Sequence, residues 1–174
     1  MGKIPYKIAP GKVAAGLALS LLLGVGAANL SIDTVADFEG YVPQAYQDPV
    51  GIWTKCWGDT TNVIPGQHYS FDECVKSLND HLYETSAPVM GCVPSLRNQS
   101  DKVIAAATSM AYNVGPGAFC RSSVARYFNA GDYKRGCERI AEIYKTAKGK
   151  ELPGLVKRRK YESDMCLAGL REER

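Results

Sequence analysis

Glu39 is followed nine positions later by Asp48, and six positions after that by Thr54. Two carboxylates that face each other across a cleft can divide labour in proton transfer. One holds a proton as an acid, and the other stays ionised as a base or stabiliser. A nearby threonine hydroxyl could hold a water. At this spacing alone, two acids are more often surface charges. Tyr112 and Asn113 close an apolar helical pattern and are candidates to contact a ligand, against a role in helix-end packing and capping. Metal chemistry is disfavoured: only His68 and His81 could add imidazole ligands, and none of the six cysteines forms a CxxC pair. Six paired cysteines would also leave no thiol for Cys–His chemistry, so no metal and no cofactor is expected.

The elements that must position the two acids follow from local pattern. A short helix over 33–39, capped by Ser31 or Asp33, ends at Gly40. Residues 46–61 read as extended structure with a turn at Pro49 and Gly51, which brings the helix-end glutamate opposite the aspartate. From Ser70 the chain turns helical. Ser70 and Glu73 form a capping box, and Phe71, Cys74, Val75, Leu78 and Leu82 follow at helical spacing. An alanine-rich helix over 101–114, which lets a neighbouring helix pack close, stops at Gly115. Shorter helices are expected at 123–130, 133–144 and 154–168, stopped by Gly131, Gly149 and Gly169. The class is α+β, a small β lobe followed by a helical lobe. At 174 residues there is room for one ordinary domain.

The net charge of +3 comes from Lys3, Lys7 and Lys12, because the first 30 residues hold no acid. The rest of the chain is neutral, which argues against nucleic acid as a partner. Residues 31–120 nevertheless carry 4 basic and 10 acidic side chains, and 121–174 carry 14 and 8. That split fits an acidic half with catalytic carboxylates beside a basic half facing an anionic substrate, or simply two solvated faces. Val13 to Ile32 is uncharged and follows the lysines, the layout of an export signal. Eight of its first eighteen residues are Gly or Ala, so it is only marginally apolar for a bilayer. A cleaved signal, a permanent anchor and an anchor that later leaves the membrane all fit. An even set of cysteines, all beyond this run, agrees with three disulfides in an oxidising compartment.

Glu39-x8-Asp48-x5-Thr54 resembles the active-site spacing of the lysozyme-type phage endolysins, glycoside hydrolase family 24. Phe38-Glu39-Gly40 and Asp48-Pro49-Val50-Gly51-Ile52-Trp53-Thr54 are similar to its two catalytic segments. Ala111-Tyr112-Asn113-Val114-Gly115 resembles its cleft helix, and Leu152 to Arg159 its last helix. The first 32 residues resemble the signal-arrest-release anchor of some members, with 33–174 as the lysozyme-like domain. One departure is Asp59, where the family usually has a histidine after the glycine; it puts a local salt bridge in doubt.

The resemblance implies a muramidase that cuts the β-1,4 bond between N-acetylmuramic acid and N-acetylglucosamine in peptidoglycan for host cell lysis. Glu39 would be the general acid, Asp48 would hold a water and stabilise an oxocarbenium-like state, and Thr54 would bond that water. Tyr112 and Asn113 would contact sugar. Trp53 and Trp57 could stack on sugar or fill a core, and Lys157-Arg158-Arg159-Lys160 could face the anionic wall or form a solvated helix face. A lytic transglycosylase or a non-catalytic wall-binding protein are the alternatives. Chain organisation and the implied fold favour the disulfides Cys56–Cys74, Cys92–Cys120 and Cys137–Cys166. The implied life history is a monomer held in the inner membrane through 13–32, then freed into the periplasm when a holin or pinholin depolarises the membrane. Once free, residues 13–30 are expected to fold onto the body. Leucine at Gly16, Gly24 and Gly26 is expected to hold the chain in the membrane.

Overall fold

The structure, a computed structural model, describes residues 13–172 except Pro49 and Lys148. Lys3, Lys7 and Lys12 lie outside the described residues. Eight α-helices and four short strands follow in the order α1 Leu17–Leu23, α2 Val25–Glu39, β1 Val42–Gln47, β2 Trp53–Cys56, α3 Phe71–Cys92, α4 Asp101–Val114, α5 Pro116–Arg121, α6 Ser123–Asn129, α7 Tyr133–Ile140, β3 Thr146–Ala147, β4 Lys150–Glu151 and α8 Pro153–Glu172. A 3-10 turn at Pro94–Asn98 joins α3 to α4. This is the expected α+β arrangement. β1 and β2 form an antiparallel hairpin with Tyr46 opposite Thr54 and Gln47 opposite Trp53.

The alanines make α4 the axle of the helical lobe. Ala105, Ala106, Ala107 and Ala111 are wholly buried, so small side chains on several faces let α2, α3 and α8 approach together. α3 begins with the capping box: Ser70 Oγ accepts from the Glu73 N–H at 3.2 Å, and Glu73 accepts from the Ser70 N–H at 2.7 Å. It then runs 22 residues, through Pro88. The disulfides are Cys56–Cys74, Cys92–Cys120 and Cys137–Cys166, the pairing favoured above. They tie the hairpin to α3, the end of α3 to α5, and α7 to α8.

The N-terminal run departs most from the expected layout. Instead of a short helix starting near Asp33, one helix runs from Val25 to Glu39. Hydrophobic burial overrides the cap signal, because Ala27, Ala28, Ile32 and Val35 are all wholly buried on one side of it. Residues 13–30 lie folded onto the body, with Leu19 and Leu23 in the core. Each large aliphatic side chain buried this way contributes roughly 1.5–3 kcal/mol. Two asparagines clamp the start of the segment. Asn29 Oδ1 accepts from the Ala15 N–H at 3.0 Å, and Asn79 Oδ1 accepts from the Gly16 N–H at 2.6 Å. Asn79 Nδ2 also donates to the Ala14 carbonyl at 3.3 Å. α1 and α2 meet at 112° at Gly24, whose φ of +87° is open to glycine and strained for other residues. Among the described residues no single helix is long and apolar enough to cross a membrane, but this bent pair together meets the length and composition needed.

Further on, α7 ends at Ile140, short of the end expected at 144, and the β3–β4 hairpin lies between the helices expected over 133–144 and 154–168. α8 runs on to Glu172, past the stop expected at Gly169. Gly169 is a contact point, not a terminator. A β-carbon there would lie 2.3 Å from Ser100 Oγ and 3.1 Å from Val103 Cγ2, so its absence sets how closely α8 approaches α4.

Candidate active site

Glu39 is the last residue of α2, and the chain turns at Gly40, whose N–H bonds the Ala36 carbonyl at 3.1 Å. Its side chain is 20% exposed. Arg158 Nη1, from α8, donates to Glu39 Oε1 at 2.6 Å. Gly58 lies on the other side. A β-carbon at Gly58 would sit 3.3 Å from Glu39 Oε2, and its φ is +84°, so both space and conformation call for glycine. Phe38, just before Glu39, packs edge-on against Tyr161 and lies under the Arg158 guanidinium.

Asp48 sits in the turn between β1 and β2. Its Oδ1 accepts from the N–H groups of Val50 and Ile52, both at 2.9 Å, and its own N–H bonds the Ile52 carbonyl. Two backbone donors fix the orientation of one carboxylate oxygen and leave Oδ2 outside this turn network. Thr54 is buried on β2, and its hydroxyl donates to the Ile52 carbonyl at 3.0 Å. Its oxygen lone pairs remain able to accept from a water. Tyr46 lies opposite Thr54 in the hairpin. Burial pushes its hydroxyl above the usual phenol range, and the charges of Glu39 and Asp48 push it the same way.

Tyr112 and Asn113 end α4 beside the acid. The Tyr112 hydroxyl donates to the Trp57 carbonyl at 3.1 Å, and its ring stacks at a tilt on His81. Burial first, then the charges of Glu39 and Asp59, hold this hydroxyl in its neutral form. Asn113 is exposed, and its Oδ1 accepts from Arg159 Nη2 at 2.7 Å. Trp57 is a core residue packed on Tyr41 and Phe71, whereas Trp53 is half-buried. His81 packs on Tyr112, and His68 bridges Gln44. No cluster of three potential metal ligands occurs among the described residues.

The basic run on α8 fits neither reading given above at its centre. Lys157 and Lys160 are exposed, but Arg158 and Arg159 are buried. They point at Glu162 and Ser109 as well as at Glu39 and Asn113. The signal that could have found them was Glu162, four residues after Arg158 on one helix face. Asp59 also takes a partner set of its own. Ser77 Oγ donates to it at 2.5 Å, the Thr61 N–H at 2.7 Å, and Lys55 pairs with it at 3.5 Å. Burial works against ionisation there, but the Ser77 hydroxyl, Thr61 and Lys55 outweigh it and hold the carboxyl below its usual range.

A helical lobe joined to a small hairpin lobe, with a glutamate at a helix end and an aspartate in the hairpin turn that follows, describes a lysozyme-type glycoside hydrolase. The phage lysozyme family model matches residues 36–162. A SAR-endolysin of Bacteriophage PS119 is 35% identical over 133 residues, 75% of this chain and 77% of that one. Among solved structures, the active form of the P1 phage endolysin Lyz matches with a TM-score of 0.75 at 21% identity, over 92% of this chain and 98% of that one. The secreted inactive form of the same endolysin matches less well, with a TM-score of 0.51 at 20% identity over 90% and 97%. The chain belongs to the phage lysozyme family: it is a lysozyme, a glycoside hydrolase of the bacterial cell wall.

Proposed function

We propose that the chain cuts the β-1,4 bond between N-acetylmuramic acid and N-acetylglucosamine, with Glu39 as general acid, Asp48 as the base and stabiliser and Thr54 as the water's acceptor. The observation that carries this reading is the placement of Glu39 at the end of α2, bonded to the buried Arg158, with Asp48 held by two backbone amides in the hairpin turn that follows. Glu39 protonates the leaving glycosidic oxygen. Asp48, oriented by the Val50 and Ile52 amides, takes up the proton of the attacking water and faces the positive charge that develops on the sugar ring. Tyr112 and Asn113, at the end of α4, line the sugar path. Zymography on peptidoglycan with wild type and Glu39→Gln tests the acid. Mass spectrometry of the product tests the reaction: a reducing end supports hydrolysis, and an anhydro end would mean transglycosylation.

The same reading extends to control. The uncharged run, the bent helix pair and relatives named SAR-endolysin support an N-terminal segment, residues 1–32, that first holds domain 33–174 at the periplasmic face of the inner membrane. Its release puts a monomer into the periplasm, and a holin or pinholin acts on it indirectly through membrane depolarisation. The described fold corresponds to the released state, because Leu19, Leu23, Ala27 and Ala28 are in the core. No cysteine lies in this segment, so release needs no change of redox state. Fractionation before and after an uncoupler tests it; a protein already soluble beforehand, beginning after Ala27 or Ala28, would indicate a cleaved signal instead.

A further inference from the structure

Three charged side chains of α8 point into the protein: Arg158 is 4% exposed, and Arg159 and Glu162 are 0% exposed. Arg158 reaches both acids. Its Nη1 donates to Glu39 at 2.6 Å, its Nε to Glu162 Oε1 at 3.0 Å, and its Nη2 to the Ser109 carbonyl at 3.1 Å. Ser109 Oγ donates to the same Glu162 oxygen at 2.7 Å. Arg159 faces Glu162 Oε2 across 3.2 Å as an ion pair without hydrogen-bond alignment. With both glutamates ionised, the cluster holds two positive and two negative charges. A general acid, however, must be neutral when it delivers its proton. At that moment Glu39 no longer balances Arg158, and a buried guanidinium without a partner is costly.

We propose that Glu162 is a positioning residue for the reaction. It keeps Arg158 partnered while Glu39 carries a proton, and its negative charge sets the pH above which Glu39 can no longer act as an acid. This rests on the reading of Glu39 as the general acid. The Glu39 charge acts on Tyr112 from α4, Tyr46 from β1 and Arg159 from α8, with Asp48 acting on the same Tyr46 and Asp59 on the same Tyr112. Both tyrosines stay neutral through burial. Burial pushes the Glu162 carboxyl above its usual range against the pull of Arg159, Arg158 and the Ser109 hydroxyl; its ion pairs with both arginines make it the buried negative charge that offsets them.

The test is the pH profile of kcat/KM for the full-length chain on soluble peptidoglycan fragments. Glu162→Gln keeps the volume and removes the charge. A unit charge on the far side of one guanidinium, taken as about 6 Å, at an effective dielectric near 20, corresponds to a limit of about two pH units. The alkaline limb is expected to move down by about one unit or more. Arg159→Met removes a positive charge and moves the same limb up, and Glu162→Asp restores it towards wild type. A purely structural role would lower the whole profile and leave the limb in place. An unmoved limb in both Glu162→Gln and Arg159→Met overturns the proposal. If only one variant folds, its limb decides; if neither folds, the cluster is a scaffold and the proposal fails. Glu39→Gln separates this from the reading beneath it. An active Glu39→Gln refutes the acid assignment itself, whereas an inactive one with unmoved limbs refutes only the role of Glu162.

Discussion

Asn79 is where the docking of the N-terminal segment can be weakened without touching the candidate site. It sits on α3 and makes two hydrogen bonds to the entry of α1, from the Gly16 N–H at 2.6 Å and to the Ala14 carbonyl at 3.3 Å. A third bond, to Val75, stays within α3. Asn79→Ala loses both cross-segment bonds. At about 0.5–1.5 kcal/mol net for each, docking weakens by about 1–3 kcal/mol. Since about 1.4 kcal/mol is tenfold, the ratio of docked to undocked chains falls roughly 5- to 150-fold. Asn79→Asp keeps an acceptor for Gly16 and loses the donor to Ala14, so its effect in kcal/mol is about half. The assay is the share of chain in the soluble fraction after the membrane potential is collapsed, together with the onset of lysis. Asn79→Ala is expected to stay with the membrane and lyse late. Ala18→Leu, at an exposed position, strengthens the membrane-bound state without crowding the docked one, and the two effects should add. Release and lysis on the wild-type schedule in Asn79→Ala would refute the clamp. Leucine at Gly16 or Gly26 is a poorer probe than the sequence suggests. A β-carbon at Gly26 would lie 1.8 Å from Asp101 Oδ2, and one at Gly16 3.3 Å from Asn79 Oδ1, so those changes disturb both states at once.

Glu39→Gln and Asp48→Asn each remove a charge and little volume, and zymograms should show no clearing while circular dichroism shows the fold retained. Thr54→Ala is expected to lower turnover by about 10²–10⁴-fold, the range for a positioned proton-transfer group, measured on soluble fragments. Replacing Cys137 and Cys166 by serine opens a loop with a sequence separation of 29. Chain entropy puts the loss at roughly 3.6 kcal/mol, to be read from denaturant unfolding. Asp59 makes stability depend on acid. Its folded value is depressed, so its contribution is present above the ordinary carboxylate range and is lost as pH falls through the lower folded value. Melting temperature should drop on acidification below about pH 4, less steeply in Asp59→Asn.

Much of the fold was legible because local signals and burial agreed. Ser70 with Glu73 marked the start of α3, the alanines marked α4, and Gly115 marked its end. The placement of the candidate residues was legible in the local pattern, with Glu39 at a helix end, Asp48 in a turn and Thr54 on a strand within one short stretch. Signals failed where tertiary contacts reassign a residue. Ser31 looks like a helix cap, but its hydroxyl donates to the Ala27 carbonyl inside α2 at 2.7 Å. Gly169 looks like a stop and is a close-approach point between α8 and α4. Arg158 and Arg159 look like a solvated basic run. Glu162 on the same helix face was the local hint, and Ser109 and Asn113, some fifty positions away on α4, complete the set of partners that turns two of the four charges inward.

α2 is a single rod with Ala27 and Ala28 seated at one end and Glu39 at the other. A rod passes displacement along undiminished. A slip of one helical residue shifts everything on it by about 1.5 Å, and an error of about 1 Å in a reacting group can cost 10²-fold in rate. On the proposed cycle, a chain whose N-terminal segment is only partly home is therefore silent, with no dim intermediate. The rate of wall cutting becomes a head-count of fully seated molecules, each carrying its own safety catch.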